Sequence, residues 1–317
     1  STSSLCDLKT GRWSEEIRRL FNFPRDIYPE IKGTCEVCGI VTKQWQEKFH
    51  FKQDVKVLTG TGDNPAAAIA TGCFAKGYPV LSLGTSGVLM YPKKKINFEV
   101  KGKNILFSMD GKDVLILVQG VVQSTGSSLA WWVKNTLQAD DFMEETTGVD
   151  LKHLGENELM FYPHLVGDKT IYQDPELRGS FVGIGTDTTR KEMTIAVMEG
   201  IAFAVKQLVS VMGVSKEELA RLKVTGGGSK NEVWMQILAD VLNTKVEQLE
   251  SGAGAGYGIA LCAAAAGDEN LSMNDLIEQT VSIKNTFIPR QYNRELYEQK
   301  YQKYLRVYDA LKHIYQE

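Results

Sequence analysis

Cysteine, histidine and proline are scarce in this sequence, and neither sign of charge dominates it. The 317 residues include 5 Cys, 4 His and 8 Pro. Because the cysteines are odd in number and scattered, they favour a reduced, cytoplasmic protein over a secreted one held by disulfides. Lys and Arg total 36, against 39 for Asp and Glu. This balance argues against a dedicated nucleic-acid binder, which needs a basic surface.

Long apolar runs are lacking as well. The longest candidates, such as residues 258–267, are short and alanine-rich, well below the ~20 residues that span a bilayer. Residues 1–10 show neither the basic nor the apolar part of a secretory signal. We therefore expect no membrane partner. The composition, 43% hydrophobic and 24% charged, is ordinary globular usage, and at ~150 residues per domain the length suggests about two domains.

Two familiar ligand-binding patterns are also missing. Cys35 and Cys38 form a Cys-x-x-Cys pair, but no second pair follows and histidines are few, so we predict no zinc site. The phosphate loop Gly-x-x-x-x-Gly-Lys-Ser/Thr does not occur in the chain. A nucleotide site in this protein must therefore be of another type.

Strand and helix patterns alternate along the chain, with glycine-rich turns between them. Hairpin turns predict four antiparallel strands in quick succession, at residues 78–83, 88–91, 105–109 and 114–118. In the second half strands alternate with helices, and the chain closes on one predicted helix over 293–315. Hairpins followed by strand–helix crossovers predict an α/β fold with one mixed sheet and helices on its faces. The domain boundary is placed near residue 77.

An acidic residue stands at the mouth of a predicted helix in the segment TGTGDNPAAA, residues 59–68. One interpretation of Asp63 is a helix N-cap, whose carboxylate accepts the first free N–H groups of the helix predicted over 65–74. The other is a catalytic base. Open α/β sheets bind ligands at the carboxyl ends of strands, and a carboxylate there can take a proton from a hydroxyl nucleophile. Asn64 adds a second polar side chain.

The segment SLGTSGV, residues 82–88, separates two predicted strands. An ordinary hairpin turn is the plain interpretation. The functional interpretation is a phosphate clamp, because successive N–H groups of a glycine-rich turn form an anion-binding concavity. Gly84, Thr85 and Ser86 would supply its donors.

Three consecutive glycines follow a strand in VTGGGSKNEVW, residues 224–234. Glycine costs backbone entropy on folding, so the close approach of a ligand explains these three better than a flexible connection does. In that interpretation a nucleoside lies across the turn, and Asn231 hydrogen-bonds its base or ribose.

A second glycine-rich stretch, SGAGAGYG at residues 251–258, fails the dinucleotide-binding pattern because the third required glycine is Tyr257. We interpret it as a small-residue helix, over 253–266, that packs closely on the neighbouring strand. Its role is therefore predicted to be structural.

In combination, these segments resemble the FGGY family of carbohydrate kinases, and within it the xylulose kinases. The resemblance runs the whole length of the chain and depends on the combination, because each motif alone is weak. The matching segments are GDN (62–64), SLGTSG (82–87), STGSSLAWW (124–132), TR (189–190) before MEGI (198–201), GGGSKN (226–231) with Trp234 and Gln236, and SGAG (251–254).

The resemblance implies a duplicated actin-like, ribonuclease-H-like ATPase fold with a cleft between two domains. Residues 1–77 would be the C-terminal part of the first, sugar-binding domain. Residues 78–283 would be the second, nucleotide-binding domain, and residues 284–317 a C-terminal helix that packs across. The family's opening strand with Asp-x-Gly-Thr, its first phosphate and magnesium clamp, is not found here. We therefore expect this chain to be the C-terminal portion of a kinase, inactive in sugar phosphorylation by itself.

The resemblance also implies a role for each matching residue. Asp63 would be the general base and Asn64 a sugar contact. The nucleotide would be held by Gly84, Thr85 and Ser86 at its phosphates, by Gly126 and Ala130 at its border, and by Gly227, Gly228 and Asn231 near its ribose or base. Ala130 stands where some relatives carry Gln, so that position offers no side-chain hydrogen bond.

The implied reaction is ATP-dependent phosphorylation of a ketopentose, D-xylulose to D-xylulose 5-phosphate, with Mg²⁺. Such a transfer depends mainly on positioning and charge stabilisation. Gluconate, ribulose and glycerol are the alternative acceptors, and a non-catalytic, actin-like nucleotide-binding module is the alternative from another class. The expected partners are a small-molecule sugar and ATP, with no nucleic acid and no membrane. Whether the protein forms a homodimer is left open.

Overall fold

The computed structural model describes residues 3–250, 254–268 and 271–315. Its α-helices are α1 (Glu15–Leu20), α2 (Lys43–Lys48), α3 (Asp63–Ala70), α4 (Cys73–Lys76), α5 (Gly126–Ala130), α6 (Arg190–Val211), α7 (Glu232–Leu242), α8 (Ala255–Gly267), α9 (Met273–Thr280), α10 (Gln291–Leu305) and α11 (Val307–Tyr315). Its strands are β1 (Val37–Ile40), β2 (Lys56–Leu58), β3 (Val80–Leu83), β4 (Gly87–Lys93), β5 (Lys103–Phe107), β6 (Leu115–Val122), β7 (Met160–Tyr162), β8 (Ser180–Val182), β9 (Arg221–Thr225), β10 (Lys245–Leu249) and β11 (Ile283–Phe287).

Among the described residues, seven strands form one mixed sheet in the order β11-β10-β9-β3-β4-β6-β5. β3, β9 and β10 run parallel, and the pairs β3–β4, β4–β6, β5–β6 and β10–β11 are antiparallel. The predicted mixed sheet and its antiparallel hairpin strands are therefore confirmed. The carboxyl ends of the three parallel strands lie at one edge of the sheet, and that edge positions the site.

The edge strand β11 was not predicted from the sequence. Its residues Ile-Lys-Asn-Thr-Phe are mostly polar and exposed, as an unpaired edge allows. The boundary placed after residue 283 consequently falls inside this strand. Two further strand pairs, β1–β2 and β7–β8, form separate antiparallel sheets.

Helix α6 is the central core helix on one face of the sheet. A capping box starts it: the Thr189 hydroxyl accepts the N–H of Glu192 at 3.2 Å, and the Glu192 carboxylate accepts the N–H of Thr189 at 2.7 Å. By length and composition α6 could cross a membrane, which corrects the statement that no such apolar stretch exists. However, 72% of its apolar window is buried inside the protein, as in a core helix.

Helices α3 and α4 cover the other face of the sheet, where Ala68 and Cys73 pack against Val80. Small residues bring α8 onto α3: a Cβ on Gly258 would lie 1.9 Å from the carbonyl oxygen of Ala66. The small-residue helix therefore packs on a helix, and the prediction that it packs on a strand was wrong. Residues 251–253, which belong to the same predicted motif, lie outside the described residues.

The chain closes on two helices rather than the single predicted one, because α10 ends before Arg306 and α11 begins after it. Tyrosines form the packed face of α10, with Tyr304 fully buried against the core. A buried ion pair fixes α10 to α6: the Lys300 ammonium donates to the Glu199 carboxylate, which also accepts the Tyr297 hydroxyl at 3.0 Å.

Candidate functional site

Asp63 is the first residue of α3, and its carboxylate is exposed. Gly62 is the N-cap, so the N-cap interpretation of Asp63 is wrong by one position. The carboxylate accepts the N–H of the adjacent Asn64 at 2.8 Å. A negative charge in the first turn is favoured by the helix dipole. The group is therefore ordered and open to solvent, as a base that meets a substrate must be.

One face of α3 forms a wall of a cleft. The cleft has a volume of about 740 Å³, and both Ala67 and Thr71 line it. Asp63 precedes them by four and eight residues, which is the spacing of one helix face. This spacing puts Asp63 on the same side of α3 as Ala67 and Thr71, although Asp63 itself is not among the residues that line the cleft.

The opposite wall is built by the sheet edge that carries the ends of the parallel strands. Its lining comprises Ser82 at the end of β3, Met90 on β4, Thr225 to Gly227 with Ser229 and Lys230 after β9, and Gln248, Leu249, Glu250, Gly254 and Lys284 around β10 and β11. This is the position where open α/β sheets bind ligands.

The turn between β3 and β4 follows directly on Leu83, the residue after Ser82. Thr85 is exposed, and Gly84 and Ser86 are half-buried. The carbonyl oxygen of Thr85 accepts the N–H groups of Thr125 at 3.2 Å and Ser127 at 3.0 Å. Within the described part of the chain, the N–H groups of Thr85 and Ser86 have no acceptor. Two backbone donors at the sheet edge are therefore available to an anion, as the phosphate-clamp hypothesis requires.

Gly126 holds the start of α5 against this turn. Its N–H donates to the carbonyl oxygen of Gly84 at 2.9 Å, and a Cβ at Gly126 would lie 2.3 Å from that oxygen. Close packing against the carbonyl oxygen of Gly84 therefore explains why residue 126 is glycine. Ala130 ends α5, is half-buried, and precedes a π-helical turn, Trp131–Thr136. The nucleotide contacts of Gly126 and Ala130 stay predictions.

The three glycines after β9 have separate roles. Gly226 has a φ of +94°, and a Cβ there would lie 2.7 Å from the carbonyl oxygen of Leu83. A Cβ on Gly228 would lie 2.8 Å from the buried Leu83 and Trp234 side chains. Gly227 has open space around it and lines the cleft. Gly226 and Gly228 therefore pack the bend onto β3, and Gly227 presents its backbone to the cleft.

Asn231 is the buried N-cap of α7. Its side-chain oxygen accepts the N–H of Trp234 at 3.0 Å, and its amide donates to the Thr146 hydroxyl at 3.0 Å. It does not belong to the cleft lining. The structure gives this side chain a structural role, and its contact with a nucleotide stays a prediction.

Two lysines that were not selected from the sequence line the cleft. Lys230 and Lys284 are both exposed, and within the described residues neither has a carboxylate within 4.0 Å. Glu250 is the exposed acidic residue of the lining and accepts the Ser282 hydroxyl at 2.6 Å. Lys230 is part of the GGGSKN segment, residues 226–231, whereas Lys284 lies on strand β11, which was not predicted. The excess of cations suits an anionic ligand.

Comparison with known proteins identifies relatives that align over most of the chain. Residues 1–70 match the N-terminal domain and residues 80–267 the C-terminal domain of the FGGY family of carbohydrate kinases. A xylulose kinase from Lactococcus lactis subsp. lactis (strain IL1403) is 33% identical over 96% of this chain and 61% of its own length. A glycerol kinase from the same strain is 29% identical over 78% of this chain and 49% of its own length.

A solved structure, that of a "xyloylose kinase" from Brucella ovis, superposes with a TM-score of 0.87 at 27% identity. It covers 98% of this chain and 64% of its own. The actin-like ATPase fold expected from the sequence is thereby confirmed. The chain spans about 61% of the length of the curated xylulose kinase that it matches at 33% identity.

Proposed function

The chain belongs to the FGGY family of carbohydrate kinases, and from this premise we propose that the protein transfers the γ-phosphoryl group of ATP to a hydroxyl of D-xylulose, giving D-xylulose 5-phosphate. The observation that carries the proposal is the cleft between the α3 face that begins at Asp63 and the glycine-lined sheet edge. The exposed Asp63 at the start of α3 and the free N–H groups of Thr85 and Ser86 after β3 support the proposal.

Asp63 acts as general base in this proposal. As the sugar oxygen attacks phosphorus, the carboxylate accepts the proton of that hydroxyl, and Asn64 contacts the sugar beside it. A base of this kind contributes typically 10²–10⁴-fold to a rate. Most of the remaining acceleration comes from holding the reactants in line.

The nucleotide lies along the sheet edge. The N–H groups of Thr85 and Ser86 bind phosphate oxygens, and the open backbone of Gly227 accommodates the nucleoside. Lys230 and Lys284 add positive charge along the cleft. Gly84, Gly126, Gly228 and Asn231 shape this wall, and their own nucleotide contacts remain part of the proposal.

Mg²⁺ enters with ATP in this proposal. In the described part of the chain, no group of three or more His, Cys, Asp or Glu side chains forms a metal site. Mg²⁺ at kinase sites is held largely by phosphates and water with one or two carboxylates, and Glu250 is the carboxylate of the cleft lining. When bound, the ion would neutralise charge on the phosphates.

We also propose the domain division at residue 77. The two family matches, residues 1–70 and 80–267, lie on either side of it and support the proposal. Residues 1–77 then belong to the sugar-binding domain and residues 78–283 to the nucleotide-binding domain. The segment 284–317 completes the second domain, since β11 pairs with β10 and α10 contacts α6.

A panel of acceptors tests the substrate. ADP release by the complete protein, with ATP and Mg²⁺, is measured on D-xylulose, D-ribulose, D-gluconate and glycerol. We expect kcat/KM for D-xylulose to exceed the others by at least about tenfold, a difference of ~1.4 kcal/mol. If the protein prefers glycerol, glycerol replaces D-xylulose as the proposed acceptor, in line with the glycerol kinase relative. ATP binding without turnover of any acceptor would instead favour the non-catalytic module.

A further inference from the structure

Lys223 is a buried cation at the centre of the sheet. It lies on β9 with 6% of its surface exposed, and its Cα is paired with that of Val80 on β3. Its strand neighbours Leu222 and Val224 point into the core on the α6 face. Because side chains alternate along a strand, Lys223 points to the opposite face, which α3 and α4 cover.

The Lys223 ammonium contacts the end of α3. Its Nζ donates to the carbonyl oxygen of Thr71, the C-cap of that helix, at 2.9 Å. A Cβ on Gly72, which has a φ of +67°, would lie 3.2 Å from the same Nζ. The cation therefore sits in the left-handed turn that ends α3, where the helix dipole favours positive charge.

This contact joins the two walls of the cleft. α3 begins at Asp63 and ends at Ala70, so it is a rigid rod of eight residues with the proposed base at one end and Thr71 at the other. Strand β9 ends at Thr225, directly before the Gly226–Gly228 bend. Lys223 links the end of that rod to the strand that supports the bend.

Within the part of the chain that the structure describes, other contacts of α3 include Gly258 against Ala66 and Ala68 against Val80, which are apolar or between small residues. Such contacts set the distance between elements but resist sliding weakly. A hydrogen bond from a buried ammonium is directional, and burying a charge is costly unless it is well bonded. An apolar side chain of the same size would fill the space without this directionality.

We propose that Lys223 is a positioning residue that fixes α3 along its axis and thereby sets the distance from Asp63 to the glycine bend. The inference rests on the proposed function, because it assigns Lys223 an effect on the reaction that Asp63 assists. Lys223 is assigned this role through its hydrogen bond to the backbone of Thr71 and not through contact with the reacting groups.

The test compares Lys223→Met, Lys223→Arg and Lys245→Met in the complete protein. Met keeps the volume but loses the donor, and Arg keeps a cationic donor. Lys245 begins the neighbouring strand β10 and is half-buried, so it is the matched control. We expect Lys223→Met to lower kcat ~10–100-fold per folded molecule, the range expected from an ångström-scale misplacement. The KM for ATP should change less than about twofold, and Arg should restore most of kcat.

Hydrogen exchange supplies a readout that does not depend on activity. Amides 67–72 at the end of α3 should exchange at least about tenfold faster in Lys223→Met than in the wild type, while α7 stays unchanged. If Lys223→Met does not accumulate as folded protein, Lys223→Leu, which also lacks a donor, takes its place in both measurements. Unchanged kcat with unchanged exchange overturns the inference, as does a loss of kcat matched by Lys245→Met.

Asp63→Asn in the same series separates this inference from the proposed function. If Asp63→Asn keeps full activity, the base assignment fails, and the exchange measurement still decides whether Lys223 holds α3. If Asp63→Asn is inactive and Lys223→Met is fully active, only the positioning role of Lys223 is lost.

Discussion

The N–H of Gly126 donates to the carbonyl oxygen of Gly84 at 2.9 Å, and this hydrogen bond joins the start of α5 to the β3–β4 turn. The Thr125 hydroxyl donates to the same oxygen at 3.1 Å. The shape of the turn therefore depends on an element that lies about forty residues later in the chain.

Gly126→Ala tests how closely that turn depends on α5. The added Cβ would lie 2.3 Å from a backbone oxygen, so the backbone must shift. We expect a loss of ~1–3 kcal/mol in the free energy of unfolding, as for other overpacked sites, with weaker ATP binding. Gly256→Ala is the control, because a Cβ there meets nothing within 4 Å and alanine favours a helix. Equal stability of the two variants would contradict the packing role.

The two glycines Gly227 and Gly228 should respond differently to alanine. Gly227→Ala should leave the free energy of unfolding within about 1 kcal/mol of the wild type but weaken ATP binding about tenfold, because the new methyl group enters the cleft. Gly228→Ala should destabilise the fold by ~1–3 kcal/mol through its clash with Leu83 and Trp234. Urea unfolding and isothermal calorimetry with an ATP analogue measure both quantities. The reverse pattern would exclude Gly227 as a nucleotide contact.

Asn231 should affect stability through its capping of α7. Asn231→Ala removes the acceptor for the Trp234 N–H, and we expect a loss of ~1–2 kcal/mol. Asn231→Asp keeps that acceptor and should lose less. Chemical unfolding of both variants checks this order. Any loss of ATP affinity per folded molecule measures the predicted nucleotide contact separately.

The buried carboxylate of Asp168 should make stability depend on pH. Burial raises its pKa, but the neighbouring His164 at 3.4 Å and the N–H groups of Tyr172 and Gln173 outweigh burial, and the net pKa is lowered. A lowered pKa in the folded state stabilises the protein above the unfolded-state pKa, ~3.9. That contribution is lost as the pH falls through the folded-state value.

Comparing the wild type with Asp168→Asn isolates this contribution. The difference in free energy of unfolding between them should be largest near neutral pH and shrink below about pH 4, since Asn cannot ionise. Denaturant unfolding over pH 3–7 measures it. A difference that does not change with pH would mean that the charge on Asp168 does not stabilise the fold.

Local patterns were sufficient to predict the sheet and the glycine turns. The hairpin at residues 82–88 follows from its glycines, and it was found between β3 and β4. Polar edge strands gave no such pattern, which is why β11 was missed. The break at Arg306 interrupts a helix without proline or glycine, so no residue type marks it.

Contacts between distant segments explain the remaining misses. Arg221 and Lys223 alternate with Leu222 and Val224, which is the pattern of a strand with one solvated face. The structure instead covers that face with α3 and buries Lys223. Gly126 could be matched to a motif, but its contact with Gly84 depends on tertiary packing. The residue pattern of one segment does not show which distant residues that segment will contact.

The kcat of Asp63→Asn in the complete protein tests the central claim most directly. ADP release with ATP, Mg²⁺ and D-xylulose is compared with that of the wild type and of Asp26→Asn, an exposed aspartate in the short turn Arg25–Ile27 outside the cleft. We predict that Asp63→Asn lowers kcat by at least about 10²-fold, and that Asp26→Asn stays within about twofold of the wild type. Wild-type kcat in Asp63→Asn would contradict the assignment of Asp63 as the base and, with it, the proposed mechanism.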